Sequence, residues 1–405
     1  MQINLGILRE GKIPADKRVP LTPDQCVELM EKFSGIQVVV QTSQHRCFSD
    51  SEYSERGIPV REDLSDCDVL LGVKEVSVTD LIPEKTYMFF SHTIKKQSYN
   101  RDLLRAVVDK KIRLVDYEVL TDSKGFRIIG FGRFAGLVGA YSGLRAWGLR
   151  KGCFTLKPAH ECDDLSDMLH QLDDIALLPL KIAVTGDGRV AGGAVEVLDY
   201  LGNRRLQADE YLNTDNSDCP VYVQVLPQHY ARRKDGEAFD LMHFFNHPEI
   251  YENAFLPFAQ ATDMLISAAY WDPKAPVLFT ANDMKREGFR ISVISDITCD
   301  IEGSIPSTKK ASTTDDPFYD YNPFTGETGP PFSSEKNVTV QAVDNLPCEL
   351  PKDASVDFGR NLIDKVFPSL AGDDHDGIIE RATITKDGRL TDRFSYLRDF
   401  AEGSD

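Results

Sequence analysis

KIAVTGDGRVAGGAVEVLDYLG, residues 181–202, is the stretch of this 405-residue chain that decides its fold. An apolar strand leads directly into the turn Gly186-x-Gly188, and a helical pattern follows the turn. This order is the start of a dinucleotide-binding unit, in which the first glycine allows a tight turn and the second lets the main chain approach a pyrophosphate. Position 191 is Ala where a third glycine is common, which is a tolerated form of the motif. The stretch therefore predicts a Rossmann-like domain, and an ordinary strand-to-helix turn is the alternative.

The residues beyond the turn bear on which dinucleotide would bind. An acidic residue about 20 positions on is expected to bind the adenosine ribose, and Asp209 has that spacing. Arg204 and Arg205 stand close by and suit a 2′-phosphate, so NAD is our first expectation and NADP the alternative. The predicted cofactor-binding residues are Gly186, Gly188, Arg189, Gly192, Asp209 and Asp296.

The composition excludes several classes of partner. The chain has 46 Lys and Arg against 64 Asp and Glu, a formal charge of −18, which argues against a nucleic acid or an anionic membrane as the main partner. It shows neither a signal peptide nor an apolar run of about 20 residues. The eight cysteines form no CxxC pair, so we predict no metal site and no disulfide framework, and a cytoplasmic setting.

Short apolar runs alternate with amphipathic stretches over the first 130 residues. Alternation of this kind predicts an α/β fold with a parallel sheet and flanking helices. The segment 131–152 carries glycines at 132, 136, 139, 143 and 148, and we interpret it as a buried connecting helix, with a glycine-rich loop as the alternative.

Basic side chains stand where the predicted N-terminal elements end. Lys74 ends the run DVLLGVK and His92 ends YMFFSH, so both are expected at the carboxyl edge of one sheet, where ligands bind. Arg18 precedes a predicted helix and Arg127 follows the turn SKGF. Arginines suit carboxylates, and a partly buried Lys or a His suits proton transfer. Taken singly, each of these residues is more often a solvated or structurally paired group.

The segments GILREGKIPADKRVPLTP, LLGVKE, FFSH, LVDYEVL and GFRIIGFGRFAG, together with the glycine turn, resemble the superfamily of alanine dehydrogenase and lysine-forming saccharopine dehydrogenase. The segments AYWDPKAPVLFT, SDITCDIEGSIPST, DPFYDY and VDNLPCELPKDAS are similar to the lysine–2-oxoglutarate reductase portion of bifunctional aminoadipic semialdehyde synthase. The likeness extends over nearly the whole chain.

The resemblance implies two Rossmann-like domains separated by a cleft. The substrate domain would comprise residues 1–130 and 340–405, and the NAD(P)-binding domain residues 131–339. The implied reaction is the reversible, NAD(P)-linked condensation of lysine with 2-oxoglutarate to give saccharopine. The implied partners are these small molecules, and the oligomeric state is not predicted.

The resemblance also implies roles for individual residues. Lys74 and His92 match an acid–base pair, and Asp344 matches an aspartate near the reacting centre. The remaining positions would bind the substrates: Arg18 and Arg127 their carboxylates, Glu75 and Glu118 the ammonium, unless the two glutamates tune the acid–base pair instead. Alanine dehydrogenase, with Asp296 or Asp300 as the catalytic aspartate, is the first alternative. A non-catalytic NAD(P)-binding sensor is the second.

Overall fold

A computed structural model describes residues 2–13, 15–175, 179–214 and 219–403. The chain divides into two compact units. The central unit is Gly132–Leu350, and the terminal unit combines the residues up to Phe131 with those from Pro351 onward. Residues 340–350, which we assigned to the substrate domain, lie in the central unit, where the strand Val338–Gln341 pairs with two neighbours.

The secondary structure of the described residues alternates strands and helices. The strands are β1 Ile3–Ile7, β2 Ile36–Gln41, β3 Val60–Arg61, β4 Val69–Leu71, β5 Thr86–Phe89, β6 Arg113–Asp116, β7 Lys181–Thr185, β8 Arg204–Leu206, β9 Val221–Val225, β10 Ala231–Arg233, β11 Tyr251–Asn253, β12 Met264–Ser267, β13 Val293–Asp296, β14 Phe318–Tyr321, β15 Thr328–Gly329, β16 Val338–Gln341, β17 Thr383–Lys386 and β18 Arg389–Leu390. The α-helices are α1 Pro23–Lys32, α2 Asp50–Glu55, α3 Arg101–Asp109, α4 Gly132–Lys151, α5 Leu165–His170, α6 Arg189–Tyr200, α7 Ala208–Asn213, α8 Pro227–Tyr230, α9 Leu241–Asn246, α10 Leu256–Ala261, α11 Pro351–Asn361, α12 Phe367–Ala371, α13 Ile378–Ala382 and α14 Arg398–Glu402.

The terminal unit is built on an eight-stranded sheet with the order β18-β17-β6-β5-β4-β1-β2-β3. The strands from β6 to β3 are parallel, and the returning segment adds the antiparallel pair β17 and β18 beside β6. Successive residues of a strand face opposite sides of a sheet, and both sides are apolar here. Met88 packs in one core with Leu29 and Phe358, whereas Tyr87 packs in the other with Leu104. The parallel strands are therefore covered by helices on both faces, as such sheets require.

The central unit contains a second eight-stranded sheet, with the order β15-β14-β16-β13-β12-β7-β9-β8. It is parallel from β16 to β8, and β14 and β15 are antiparallel. Every residue of β7 is buried, which explains the continuous apolar run before the glycine turn. Two largely parallel sheets in two units confirm the predicted α/β class with two Rossmann-like domains.

The glycine-rich segment forms the helix α4, as predicted, and its glycines allow α4 and α6 to pack in very close contact. A Cβ atom on Gly136 would lie 1.9 Å from the carbonyl oxygen of Val190 in α6. A Cβ atom on Gly193 would lie 2.0 Å from the carbonyl oxygen of Arg133 in α4. Only hydrogen fits at these two positions, so the glycine that packs the helix of the motif is Gly193.

We predict that Gly193→Ala destabilises the protein by about 2–5 kcal/mol, because the methyl group would overlap a main-chain carbonyl and force the two helices apart. Gly192→Ala is the matched control, since a Cβ at that neighbouring helical position has no atom within 4 Å. The control should be neutral or more stable by about 0.5–1 kcal/mol. Urea unfolding followed by far-UV circular dichroism measures both, and equal stability of the two variants would contradict the close packing.

Candidate functional site

Four neighbouring parallel strands of the terminal unit deliver polar side chains to one edge of its sheet. The strands β6, β5, β4 and β1 are consecutive in the sheet, and parallel strands end at the same edge. The side chains that follow them are Glu118 after β6, His92 after β5, Lys74 and Glu75 after β4, and Glu10 after β1. We call this group the strand-end cluster.

Glu118 contacts one member of the strand-end cluster and two basic side chains from outside it. Its Oε2 lies 3.1 Å from Nδ1 of His92. Its Oε1 lies 3.2 Å from Nη2 of Arg127 and 3.3 Å from Nζ of Lys95. Arg127 also donates through Nε to the main-chain carbonyl of Glu118, at 3.1 Å. The structure therefore brings His92, Glu118 and Arg127 together, and it adds Lys95, which the sequence analysis did not single out.

The charge state of Glu118 follows from these contacts. Burial opposes ionisation, but the hydrogen bond from His92 and the positive charges of Lys95 and Arg127 outweigh it and lower the pKa of Glu118 to about 2. Glu118 is therefore a carboxylate at neutral pH. Nδ1 of His92 contacts both Glu118 and, at 3.1 Å, Nζ of Lys95, so Nε2 is the ring nitrogen that contacts neither of them.

His92 is held in an unusual main-chain conformation. It has φ of 55° in the left-handed region, and its ring stacks on Phe90 at a centroid distance of 6.4 Å. Its Nε2 lies 3.9 Å from Oε1 of Glu75. That oxygen is buried and accepts no hydrogen bond from the residues that the structure describes, whereas Oε2 lies 3.8 Å from Nζ of Lys12. A buried carboxylate oxygen beside Nε2 is suited to receive an N–H group from a bound molecule.

Lys74 is positioned through its main chain. Oε2 of Glu10 accepts the N–H of Lys74 at 2.9 Å, and Oε1 accepts the N–H of Val73 at 2.7 Å. Glu10 was not predicted as a site residue, although the rule that selected Lys74 and His92 applies to it, because Glu10 follows β1 by three residues.

Arg18 is buried and already bound to a carboxylate. Its Nε and Nη2 donate to the two carboxylate oxygens of Asp16 at 3.0 and 2.6 Å, and its guanidinium lies 4.1 Å from the ring centroid of Phe131. A substrate carboxylate at Arg18 would therefore compete with Asp16. Asp344 is placed in the other unit, where it is exposed and follows β16.

The glycine turn of the central unit lines a separate pocket. Gly186 has φ of 87°, which only glycine adopts without strain, and Gly188 is the N-cap of α6 with open space where a Cβ would be. The pocket has a volume of about 410 Å³. Its largest side chains are aromatic: Tyr230, Phe244, Phe245, Tyr270 and Trp271. A tight turn, an unobstructed helix N-terminus and an apolar wall fit the pyrophosphate and a planar ring of a dinucleotide.

The other predicted cofactor residues lie outside this lining. Arg189 is the first residue of α6 and is exposed, whereas the N–H of Gly192 is bonded within the helix to the carbonyl of Gly188 at 2.9 Å. Asp209 is exposed in the first turn of α7. Asp296 is buried, and its two oxygens accept the hydroxyls of Thr298 and Thr308 at 2.7 and 2.6 Å.

In the parts of the chain that the structure describes, every helix is too short or too polar to cross a bilayer. Within the same residues no three His, Cys, Asp or Glu side chains are grouped so that they could hold a metal ion.

The pKa of Glu118 leads to a stability prediction. Its pKa is lower in the folded protein than in the unfolded chain, so its contribution is present above about pH 4.5 and is lost as the pH falls towards 2. We expect Glu118→Gln to cost roughly 1–3 kcal/mol at pH 6, because the half-exposed Arg127 and Lys95 are partly screened, and to cost less at pH 3.5.

Urea unfolding at pH 3.5, 4.5 and 6 measures this loss. Glu31→Gln, at an exposed position of α1, is the control and should cost less than about 0.5 kcal/mol at each pH. A cost of Glu118→Gln that stays constant over this range would show that the ion contacts of Glu118 do not lower its pKa.

Comparisons with known proteins show what the chain is similar to. Residues 6–138 match the family model described as alanine dehydrogenase/PNT, N-terminal domain. The chain is 30% identical over 438 residues to alpha-aminoadipic semialdehyde synthase of Arabidopsis thaliana, an alignment that covers 97% of this chain and 41% of that protein. It is 25% identical over 370 residues to saccharopine dehydrogenase (NAD(+), L-lysine-forming) of Emericella nidulans, with 88% of this chain and 89% of that protein covered.

Among solved structures, an L-alanine dehydrogenase superimposes with a TM-score of 0.65 at 15% sequence identity and full coverage of both chains, which shows a shared fold. The chain spans less than half the length of the semialdehyde synthases that it matches. The resemblance found in the sequence is confirmed: residues 6–138 match the alanine dehydrogenase/PNT N-terminal domain, and over nearly its whole length the chain is similar to the semialdehyde synthases and to the lysine-forming saccharopine dehydrogenases.

Proposed function

We propose that this protein catalyses the reversible, NAD(P)-linked reductive condensation of L-lysine with 2-oxoglutarate to give saccharopine. The observation that carries the proposal is the strand-end cluster, in which His92 contacts the carboxylates Glu75 and Glu118 and Lys74 follows the neighbouring strand at the same edge of the sheet. The likeness to proteins named for this chemistry supports it.

The reaction needs a proton acceptor and a proton donor at the reacting carbon. The lysine ε-amine must lose a proton to attack the ketone, and the resulting carbinolamine must gain one to release water and form the imine. Lys74 and His92 divide these two transfers, and Nε2 is the atom of His92 that takes part. NAD(P)H supplies the hydride when it is bound. In the reverse direction the same two side chains serve hydration of the imine and collapse of the carbinolamine.

The substrates carry positive and negative charges, and the cluster together with the basic side chains at Glu118 provides groups of the opposite sign for each. Lys95 and Arg127 have half-exposed side chains that suit the carboxylates of 2-oxoglutarate. The buried Oε1 of Glu75 suits an ammonium or a protonated secondary amine. We also propose that Arg18 binds a substrate carboxylate in competition with Asp16, and that Asp344 lies near the reacting centre.

We propose that Gly186 and Gly188 hold the pyrophosphate of the dinucleotide, with Arg189 and Gly192 in the first turns of the same helix. NAD is the preferred form in this proposal, because Asp209 would accept the ribose hydroxyls and would repel a 2′-phosphate. Arg205 is bonded to Gln224, which in turn donates to the carbonyl of Gly186 at 3.1 Å. If NADP is preferred instead, Arg205 is the residue that we expect to bind its phosphate.

Initial rates over a matrix of substrates test the proposal. We expect oxidation of NADH that requires both lysine and 2-oxoglutarate, and a higher kcat/KM with NADH than with NADPH. A rate with pyruvate and ammonia that lysine does not change would favour an alanine dehydrogenase. Binding of NAD(H) without turnover of any amino or keto acid would favour a non-catalytic sensor.

Lys74→Met tests the acid–base assignment. The side chain keeps a similar length but cannot carry a proton, so we expect kcat to fall by about 10²–10⁴-fold with the Kd of NADH nearly unchanged. Lys365→Met, at an exposed helical position of the same unit, is the control and should keep full activity. Loss of NADH binding in Lys74→Met, or full turnover, would contradict the assignment.

A further inference from the structure

The carboxylate of Glu10 supplies the hydrogen-bond acceptors that a neighbouring strand would provide, at the point where the chain leaves β4. The strand β1 pairs with β4 as far as Ile7 and Leu71, and the N–H of Leu8 still bonds to the carbonyl of Leu71 at 2.8 Å. The chain of β1 then turns away. The main-chain donors that follow β4, those of Val73 and Lys74, have the two oxygens of the Glu10 carboxylate as acceptors instead.

The other side of the same segment is fixed by β5. The N–H of Gly72 donates to the carbonyl of Met88, and the N–H of Phe90 donates to the carbonyl of Val73, both at 3.0 Å. Residues 72–74 are therefore held between a main-chain ladder on one side and one carboxylate on the other. Their conformation determines where the side chains of Lys74 and Glu75 point.

The surroundings of Glu10 keep its charge state sensitive to pH. Burial raises the pKa of Glu10 to about 7; the negative charge of Asp16 acts in the same direction, and the two main-chain N–H groups and Arg18 oppose it. Burial, together with the charge of this carboxylate, also raises the pKa of the Tyr117 phenol. Protonated Glu10 has one oxygen that is a donor, so it can accept both N–H groups well only when it is ionised.

We propose that Glu10 is a positioning residue for the acid–base pair: its carboxylate fixes the main chain of Val73 and Lys74 and thereby holds the Lys74 side chain in the orientation that catalysis requires. This rests on the proposed function, in which Lys74 carries a proton. A bidentate carboxylate is needed, since an amide side chain offers one acceptor and presents a donor to the second N–H group. The effect is expected on turnover, because a small displacement of a catalytic group costs rate more than substrate binding.

The test compares Glu10→Gln and Glu10→Ala with the wild-type protein and with Glu31→Gln as a control at an exposed position. We expect kcat to fall by about 10-fold in Glu10→Gln and about 100-fold in Glu10→Ala, with the KM for the nicotinamide cofactor changed less than about twofold. Amide hydrogen exchange resolved at Val73 and Lys74 should quicken in the same order, while the amides of Gly72 and Phe90 stay protected.

A pH series separates positioning from a general loss of stability. After correction for intrinsic exchange, the Val73 and Lys74 amides of the wild-type protein should lose protection as the pH falls through about 7, and those of Glu10→Gln should not. Unchanged exchange at these two amides in Glu10→Ala overturns the proposal, and so does faster exchange with an unaltered kcat. If Glu10→Ala does not fold, the isosteric Glu10→Gln decides alone.

The two proposals fail in different ways. A wild-type protein that turns over no substrate would sink the proposed function, whereas the exchange measurements need no activity and still show whether Glu10 holds Lys74.

Discussion

The parallel pairing of β6, β5, β4 and β1 is the constraint on which the candidate site depends. Parallel pairing makes these four strands end at one edge, so residues far apart in sequence reach the same place. Glu10 and Glu118 are separated by more than a hundred residues, and both contribute carboxylates there. The cluster would not form in an antiparallel sheet, because alternate strand ends would lie on opposite edges.

Positive and negative side chains are more nearly equal in number at this edge than the charge of the whole chain suggests. The chain carries −18, yet the three carboxylates of the cluster stand beside Lys12, Lys74, Lys95 and Arg127, and Glu118 is ionised because of the cations around it. Burial of mixed charges is costly unless each is paired. The buried Oε1 of Glu75, which accepts no hydrogen bond from the described residues, is therefore a point at which a ligand would improve the balance.

Sequence periodicity predicted the strands and the positions of Lys74 and His92, since both depend on local pattern and on the rule that ligands bind at strand ends. It could not predict that Arg18 is bound to Asp16, because a salt bridge within a loop has no periodic signal. It did not single out Gly193, which the close packing of α4 and α6 requires, because that packing is a property of two helices together. The aromatic wall of the central pocket comes from segments distant in sequence and was missed for the same reason.

The return of the C-terminal segment to the first sheet has a consequence for how the protein is made. The strand β6 has its antiparallel neighbour β17 about 270 residues later in the chain. At roughly 5–20 residues per second, a ribosome needs about 10–50 s to supply it. During that interval the edge of β6 that pairs with β17 has no native partner, and an unpaired strand edge can pair with a wrong strand. The whole central unit is synthesised in the same interval, before β17 and β18, the last two strands of the terminal unit's sheet.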